Sequence, residues 1–464
     1  MTMRIRSLLG AVSVFALAGC SASTDSGKTS DPSQLAVAKA DLAQTPASEI
    51  SADSLQAAVT ANNALAVDLY AHLLEDAPAG NLLTSPISAS LALTMAYAGA
   101  AGSTATEMAH ALHFDPSLGA AIFDGQNALS QALAARGMSA LARAQQNAQY
   151  GNQAAPSSDD YDLHIVNSVW GEQTYTWEAP FLTTMAQSYG AGVYQEDFKH
   201  AFEPARAAIN SWVSTETKDK INNLLPPGAL DSNTRMVLVN AMHLKFPWAS
   251  TFEPSATQSG SFTRSDGSTV TPDFMNQTAG FSYVDDGQAQ IVALPLSNRE
   301  VSLVIALPHE DVDLTAYEAS LSTTSAALGI PAANQLVSLS LPKANFTSPT
   351  FSLSKSLQSM GMVSAFDPSA ADFSGLCAHP PDGDTLFVGD VLQKAMLSMQ
   401  ESGVEAAAAT AVVVVGSASA LPGPPPTPVP MVVNRPYLAA LVDGPTGAIL
   451  MLGHVTDPTD AGSP

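Results

Sequence analysis

Glu401-Ser402-Gly403-Val404-Glu405-Ala406-Ala407-Ala408-Ala409-Thr410 runs into Ala411-Val412-Val413-Val414-Val415 and then into a proline-rich stretch. Its residue types and spacing suit strand exchange rather than bond making. Side chains of an extended chain alternate between two faces. Val404, Ala406, Ala408, Thr410, Val412 and Val414 share one face, and Glu401, Gly403, Glu405, Ala407 and Ala409 share the other. The first face carries no charge, so the segment can enter the middle of a sheet while Glu405 stays outside the core. The first half is small enough to slide between existing strands, and the β-branched second half suits a pleated, half-buried surface. By composition alone it would be an Ala/Val linker. The surrounding chain decides between the two readings.

Other candidate chemistry is thin. The chain has no G-x-S-x-G elbow, no H-E-x-x-H and no C-x-x-C, and His309-Glu310 lacks a second histidine. Asp382-Gly383-Asp384 offers two carboxylates to calcium, but inside a Pro/Gly turn this is ordinarily just a turn. Gly27-Lys28-Thr29 has Ala22 where a phosphate loop needs glycine. Neither a catalytic residue, a cofactor nor a metal is expected. A formal charge of -24 argues against nucleic acid and sulfated polysaccharide as partners. With 46% apolar and only 13% charged residues, the chain can bury a large core.

Arg4 and Arg6 precede an apolar run from Leu8 to Leu17 that is too short to span a bilayer. Leu17-Ala18-Gly19-Cys20 is similar to the cleavage box of bacterial lipoproteins. That likeness implies a signal over residues 1–19, lipidation of Cys20 and a membrane anchor. Ser21, in place of an inner-membrane Asp, implies sorting to the outer membrane of the cell envelope, with release outside the cell as a variant. An ordinary secretory signal cut beside a chance cysteine is the plainer alternative. Cys377 is then the one cysteine left, so no intrachain disulfide is expected. Residues 20–54, rich in Ser, Ala, Asp, Thr and Gln, suit a flexible tether ahead of one domain over 55–464.

Within that domain Val59, Ala66, Leu69, Tyr70 and Leu73 recur at helical spacing. Thr84-Ser85-Pro86 supplies a cap hydroxyl and a first-turn proline for a helix so apolar, Ile87 to Ala98, that it must be buried all round. Gly99 and Gly102 end it, and Thr104 to Glu107 reads as a capping box. Gln126 to Arg143 is a further helix. From Leu163 on, short β-like runs follow, bounded by Gly, Pro, Asn and Asp: Ile165–Trp170, Met236–Lys245, Phe281–Val284, Ile291–Leu296, Val301–Leu307 and Leu336–Leu341. Helices first and strands after, with few crossovers, indicate an α+β fold with large, mainly antiparallel sheets.

With these segments in order, the chain resembles the serpin family from about Leu55 to Pro458. The likeness rests on Asn81-Leu82-Leu83-Thr84-Ser85-Pro86-Ile87-Ser88, Asn167-Ser168-Val169-Trp170 and Ile209-Asn210-Ser211-Trp212-Val213 with Leu224-Leu225-Pro226. It continues through Leu238-Val239-Asn240-Ala241, Ala371-Asp372-Phe373-Ser374-Gly375 and Asn434-Arg435-Pro436-Tyr437. It implies about nine helices around three mainly antiparallel sheets, with an exposed reactive-centre loop over about 401–433. It also implies a monomeric trap. A serine protease forms a covalent acyl complex with the loop, and the freed strand inserts into the central sheet.

The resemblance assigns the hinge to Glu401, Gly403, Val404, Glu405, Ala406, Ala407, Ala408, Ala409 and Thr410. It places the scissile bond at Ser417-Ala418. Small residues there imply an elastase-like or subtilisin-like target. A non-inhibitory binding lipoprotein and a cross-class inhibitor of cysteine proteases are the alternatives. Ser85, Ser88 and Asn240 match a polar cluster beneath the opening sheet, with Gln393 where the family has His, and Trp248 fits the place where the loop first enters. Gln donates and accepts as imidazole does but does not titrate near neutrality. Asp219 and Phe246 stand where glycine is commoner. The run Leu421 to Pro430 is longer than usual and suits a stiff polyproline spacer.

Overall fold

A computed structural model of the chain describes residues 35–76, 80–150, 156–157, 161–404 and 427–462. Eight α-helices fall within them: α1 (Ala52–Asp76), α2 (Pro86–Tyr97), α3 (Gly102–Ala111), α4 (Ala121–Tyr150), α5 (Ala179–Tyr189), α6 (Phe198–Glu216), α7 (Leu314–Ala319) and α8 (Ser354–Ser359).

One sheet has seven strands. In spatial order they are β1 (Ala36–Ala38), β4 (Val193–Glu196), β3 (Asp162–Glu172), β5 (Met236–Pro247), β17 (Gly403–Val404), β16 (Met396–Gln400) and β13 (Ala344–Thr347). A second sheet has nine. Its order is β18 (Val429–Val432), β12 (Asn334–Pro342), β9 (Asp273–Asp285), β10 (Ala289–Pro295), β11 (Val301–Pro308), β19 (Tyr437–Asp443), β20 (Ile449–Val455) and β2 (Leu82–Thr84), with β6 (Gln258–Ser259) on the side of β9. Two short pairs complete the set, β7 (Phe262–Thr263) with β8 (Thr269–Val270), and β14 (Phe351–Ser352) with β15 (Leu392–Gln393).

The α+β class expected from the element order is the one observed, and each β-like run lies on an observed strand, with Leu296 alone falling one residue past the end of β10. Eight of the roughly nine expected helices stand among the described residues. Two expected sheets are one, because the thirteen-residue β9 pairs with β12 through Phe274–Ser282 and with β10 through Ser282–Asp285.

Strand directions define two ends of the seven-stranded sheet. β4 runs parallel to β3, β5 antiparallel to β3, and β1 antiparallel to β4. Pro247 and Gln400 therefore mark an upper end, and Ala36, Gln195, Gly171 and Met236 share one level at the lower end. The inner faces of the two sheets enclose the largest core, with Ile87, Leu91, Phe246, Trp248 and Tyr437 buried in it. α2 is buried from Pro86 to Ala96, as its composition requires. α6 lies across the outer face of the seven-stranded sheet, where Trp212 meets Trp170 edge-on at 5.9 Å between ring centroids and Trp170 stacks on Tyr194 at 4.6 Å.

Three local expectations change. Ser85 is the N-cap of α2, but its hydroxyl does not cap the helix and instead donates to the Leu450 carbonyl at 3.0 Å. Thr104 and Glu107 form no capping box. The helix begins earlier, at Gly102, so Thr104 Oγ1 accepts from the Asp372 amide and Glu107 accepts from the Val363 and Ser364 amides. Both are helix-end hydroxyls or carboxylates claimed by a tertiary partner.

Third, residues 35–54 are not a tether. β1 pairs with β4, Lys39 Nζ donates to the Gly190 carbonyl at 2.6 Å, and Gln44 and Thr45 bind Asn127 of α4. Asn127 is fully buried, and its amide also donates to the Gln187 carbonyl and accepts from Gln131. Asn127→Ala would leave these partners unsatisfied, at a cost of about 1–3 kcal/mol. The expected result is that trypsin cuts after Lys39 in the variant while the native protein resists, read from the mass of the N-terminal fragment.

Candidate functional site: the seam between β5 and β16

Among the described residues, β5 and β16 are joined through β17. Gly403 pairs with Pro247 and Gln400, and Val404 pairs with Phe246 and Met399. Gly403 and Val404 of the hinge thus already form a rung of the sheet. Their types suit the place. A Cβ on Gly403 would lie 2.2 Å from the Phe246 carbonyl oxygen, so only glycine lets the backbones approach. Val404 is buried against Met242, Leu244 and Leu397. Lower down, β15 continues the β16 side and packs beside β5.

Above the rung, a polar clasp holds the chain as it turns into β17. The Trp248 indole N–H donates to the Gln400 carbonyl at 2.7 Å, and the Trp248 amide donates to the Ser402 carbonyl at 3.1 Å. The indole is buried and also packs edge-on against Phe252, so it is both core and clasp. The Phe252 amide donates to the Glu401 carbonyl. The Glu401 carboxylate meets the Lys343 ammonium at 2.8 Å and accepts from the Thr257 hydroxyl at 2.8 Å. Burial pushes this carboxyl up, but the Lys343 ammonium, its own amide and Thr257 together draw it below the ordinary range.

Below the rung sits a second polar knot. Gln393 is buried; its carbonyl oxygen accepts from the Thr84 hydroxyl at 2.7 Å and the Ser85 amide at 2.9 Å, while its amide donates to the Ser85 carbonyl at 2.9 Å. One neutral amide therefore closes three bonds across the junction of β2, α2 and β15. Ser88 is buried one turn into α2. Asn240 pairs through its backbone with Asn167, and its side chain lies outside the described residues. Asp219, where glycine is commoner, has φ +62°, and its carboxylate accepts from Ser214 at 2.6 Å, an anchor that suits a left-handed residue. Phe246 is a buried β5 residue paired to Val404.

The structure thus brings Glu401, Gly403, Val404 and Trp248 together, and Ser85 with Gln393. Glu405, Ala406, Ala407, Ala408, Ala409, Thr410, Ser417, Ala418 and Cys20 lie outside the described residues. Lys343, Thr257 and Thr84 escaped the sequence reading. Lys343 left one trace, as the lone lysine between Lys245 and Lys355.

The signature in α6 has a structural reason. Asn210 donates to the Leu225 carbonyl and accepts from the Leu225 amide, both at 2.9 Å, which ties the chain after the helix back onto it.

A family model described as Serpin (serine protease inhibitor) matches residues 60–458. The leukocyte elastase inhibitor of Homo sapiens is 30% identical over 408 residues, covering 86% of this chain and 99% of that protein. Among solved structures, the native state of the thermophilic serpin tengpin superposes with a TM-score of 0.73 at 25% identity, over 91% of this chain and all of that one. Human thyroxine-binding globulin in complex with its hormone gives 0.70 at 26% identity, over 88% of this chain and all of that one. The chain belongs to the serpin family. With its elastase-inhibitor relatives, that membership points to protease inhibition in general.

The lowered Glu401 carboxyl sets a pH dependence. Its stabilisation is complete above the unfolded glutamate value of about 4.3 and is lost as pH falls through the lower folded value. Glu401→Gln should therefore cost about 1 kcal/mol at pH 7, and the difference should begin to shrink below about pH 4 and vanish once pH is below the folded value. Urea midpoints of both proteins across that range measure it, and a gap that persists in acid contradicts the ion pair as its source.

Proposed function

We propose that this serpin is an irreversible suicide-substrate inhibitor of serine endopeptidases that prefer small residues, of elastase-like or subtilisin-like type. The protease serine attacks the Ser417 carbonyl, the peptide bond to Ala418 breaks, and the amine of Ala418 leaves with the C-terminal side of the loop. An ester then joins Ser417 to the protease. Insertion of the freed strand after Val404 carries the protease away before water can hydrolyse that ester.

One observation above all supports the reading. Gly403 and Val404 already stand as a rung between β5 and β16, with Glu401 clasped above them. The strand extends from there by continuing a ladder already begun. Its inward face beyond Val404, Ala406, Ala408, Thr410, Val412 and Val414, adds no charge to the core.

The proposal extends to a monomer held at the outer membrane through a lipidated Cys20. Leu35 leads into β1 at the lower end of the seven-stranded sheet, and β17 begins at its upper end. On this proposal, full insertion would carry the protease toward the end at which the N-terminal chain enters the fold.

Mixing the protein with pancreatic elastase or subtilisin should yield a band at the summed mass that survives SDS, with trypsin a poor partner. Loop cleavage with the protease left active would refute the trap. Val404→Arg or Thr410→Arg puts a charge on the inward face, at a cost of several kcal/mol, and should convert inhibitor to substrate. Labelled fatty acid should enter the native chain and not Cys20→Ala.

A further inference from the structure

The lower end of the seam carries a charge cluster that the reading above does not use. Asp384 Oδ2 accepts from Arg235 Nε at 2.8 Å, pairs with Lys199 Nζ at 2.9 Å and accepts from the Tyr175 hydroxyl at 2.9 Å. Lys199 also lies over the Tyr175 ring, 5.6 Å from its centroid. All four side chains are largely shielded, with the cations 13% and Asp384 22% exposed. The Arg235 hydrogen bond, against burial and together with Lys199 and Tyr175, holds the Asp384 carboxyl far below the usual range. The Asp-Gly-Asp turn is thus a sink for cationic side chains rather than a calcium loop.

By chain connectivity the members belong to the two strands that flank the seam. Arg235 immediately precedes β5, Lys199 lies in the first turn of α6, and Tyr175 follows β3, so three donors belong to the β3/β5 half and the helix across it. Asp384 follows the 3-10 turn Pro381–Gly383 on the chain that leads into β15 and β16. A higher link has the same sense, since Lys394 Nζ donates to the Asn222 carbonyl at 3.4 Å.

We propose that Asp384 is a latch that holds the two halves of the sheet together at their lower end and is released when the strand inserts to full length. The proposal rests on the loop-insertion reading. Each added strand moves its neighbours apart by about 4.8 Å. Contacts of 2.8–2.9 Å that widen by that amount pass beyond any hydrogen bond or ion pair. The latch therefore stabilises the closed sheet alone and opposes the last stage of insertion. Links at the upper end, by contrast, lie above the rung already in place.

The test compares the intact and loop-nicked forms of the full-length protein, native, Asp384→Asn, Arg235→Gln and both together. The intact single variants should each melt about 2–4 °C lower, with the double variant no worse than either. After nicking of the loop, all four should melt together and well above their intact forms. Asp384→Asn should also trap protease faster once acylated, with a smaller fraction of the inhibitor turned over as substrate. Equal losses in intact and nicked forms, or no loss in the intact form, overturn the latch while leaving the insertion reading in place. A native protein whose melting point does not rise on nicking overturns both. If Asp384→Asn folds poorly, Tyr175→Phe removes one donor and should show the same intact-only loss at smaller size.

Discussion

A two-residue rung governs this structure. Gly403 and Val404 complete the hydrogen bonding of both β5 and β16 at the upper end of the sheet. Backbone N–H and C=O groups at a sheet edge demand partners, and an interior seam satisfied by so short a strand is satisfied only locally. The arrangement needs glycine at one position for close approach and an uncharged, compact side chain at the next, and it has both. Under the proposed insertion, continuing the ladder downward would add backbone bonds and bury apolar surface. What opposes growth is whatever holds the two halves together below it.

The restraints seen there are polar and directional. The apolar cores to either side are dense and would yield only at large cost. Lys394 and Asp384 tie the chain leading into β16 to residues beside β5 and α6, and Gln393 ties the same chain to β2 and α2. Gln393 makes three bonds without a titratable group. The middle of the seam is consequently insensitive to pH near neutrality, where a histidine would respond. The charged links stand at the two ends, Lys343 with Glu401 above and Asp384 with three donors below, and both carboxyls are held below their ordinary values. Protonation of either carboxylate in acid weakens that hold.

Long, periodic or strongly apolar segments were legible in the sequence. α2, β5, β10, β11 and β12 lie where composition and alternation put them, because burial of those side chains has one solution, while only the last third of β9 was read. The polar contacts were legible only by likeness to a family. Thr84 lies 309 residues from Gln393, and Lys343 is far from Glu401 along the chain, so no local pattern links them. Local rules failed where a distant partner outbid the helix end, as at Ser85 and Thr104. β1 was invisible because Ala36-Val37-Ala38 has too few residues to show alternation, and its stability comes from the edge of β4 and from Asn127.

That docked segment also fixes a direction. A tether beginning at Leu55 would leave the body at the start of α1 and be free to swing, so the pole facing an anchoring membrane would be undefined. Pairing of Ala36 with Gln195 instead brings the chain in at the lower end of the sheet, four strands from the seam. Lys39, Gln44 and Thr45 then hold the following residues against α4 and α5. Because β1 runs antiparallel to β4, and β4 antiparallel to β5, the incoming chain and β5 both rise toward the end where β17 begins. The same strand directions that orient a growing rung thus orient the whole body relative to its N-terminal side. The docked backbone of residues 35–51 thus fixes the end of the sheet at which the chain enters the fold.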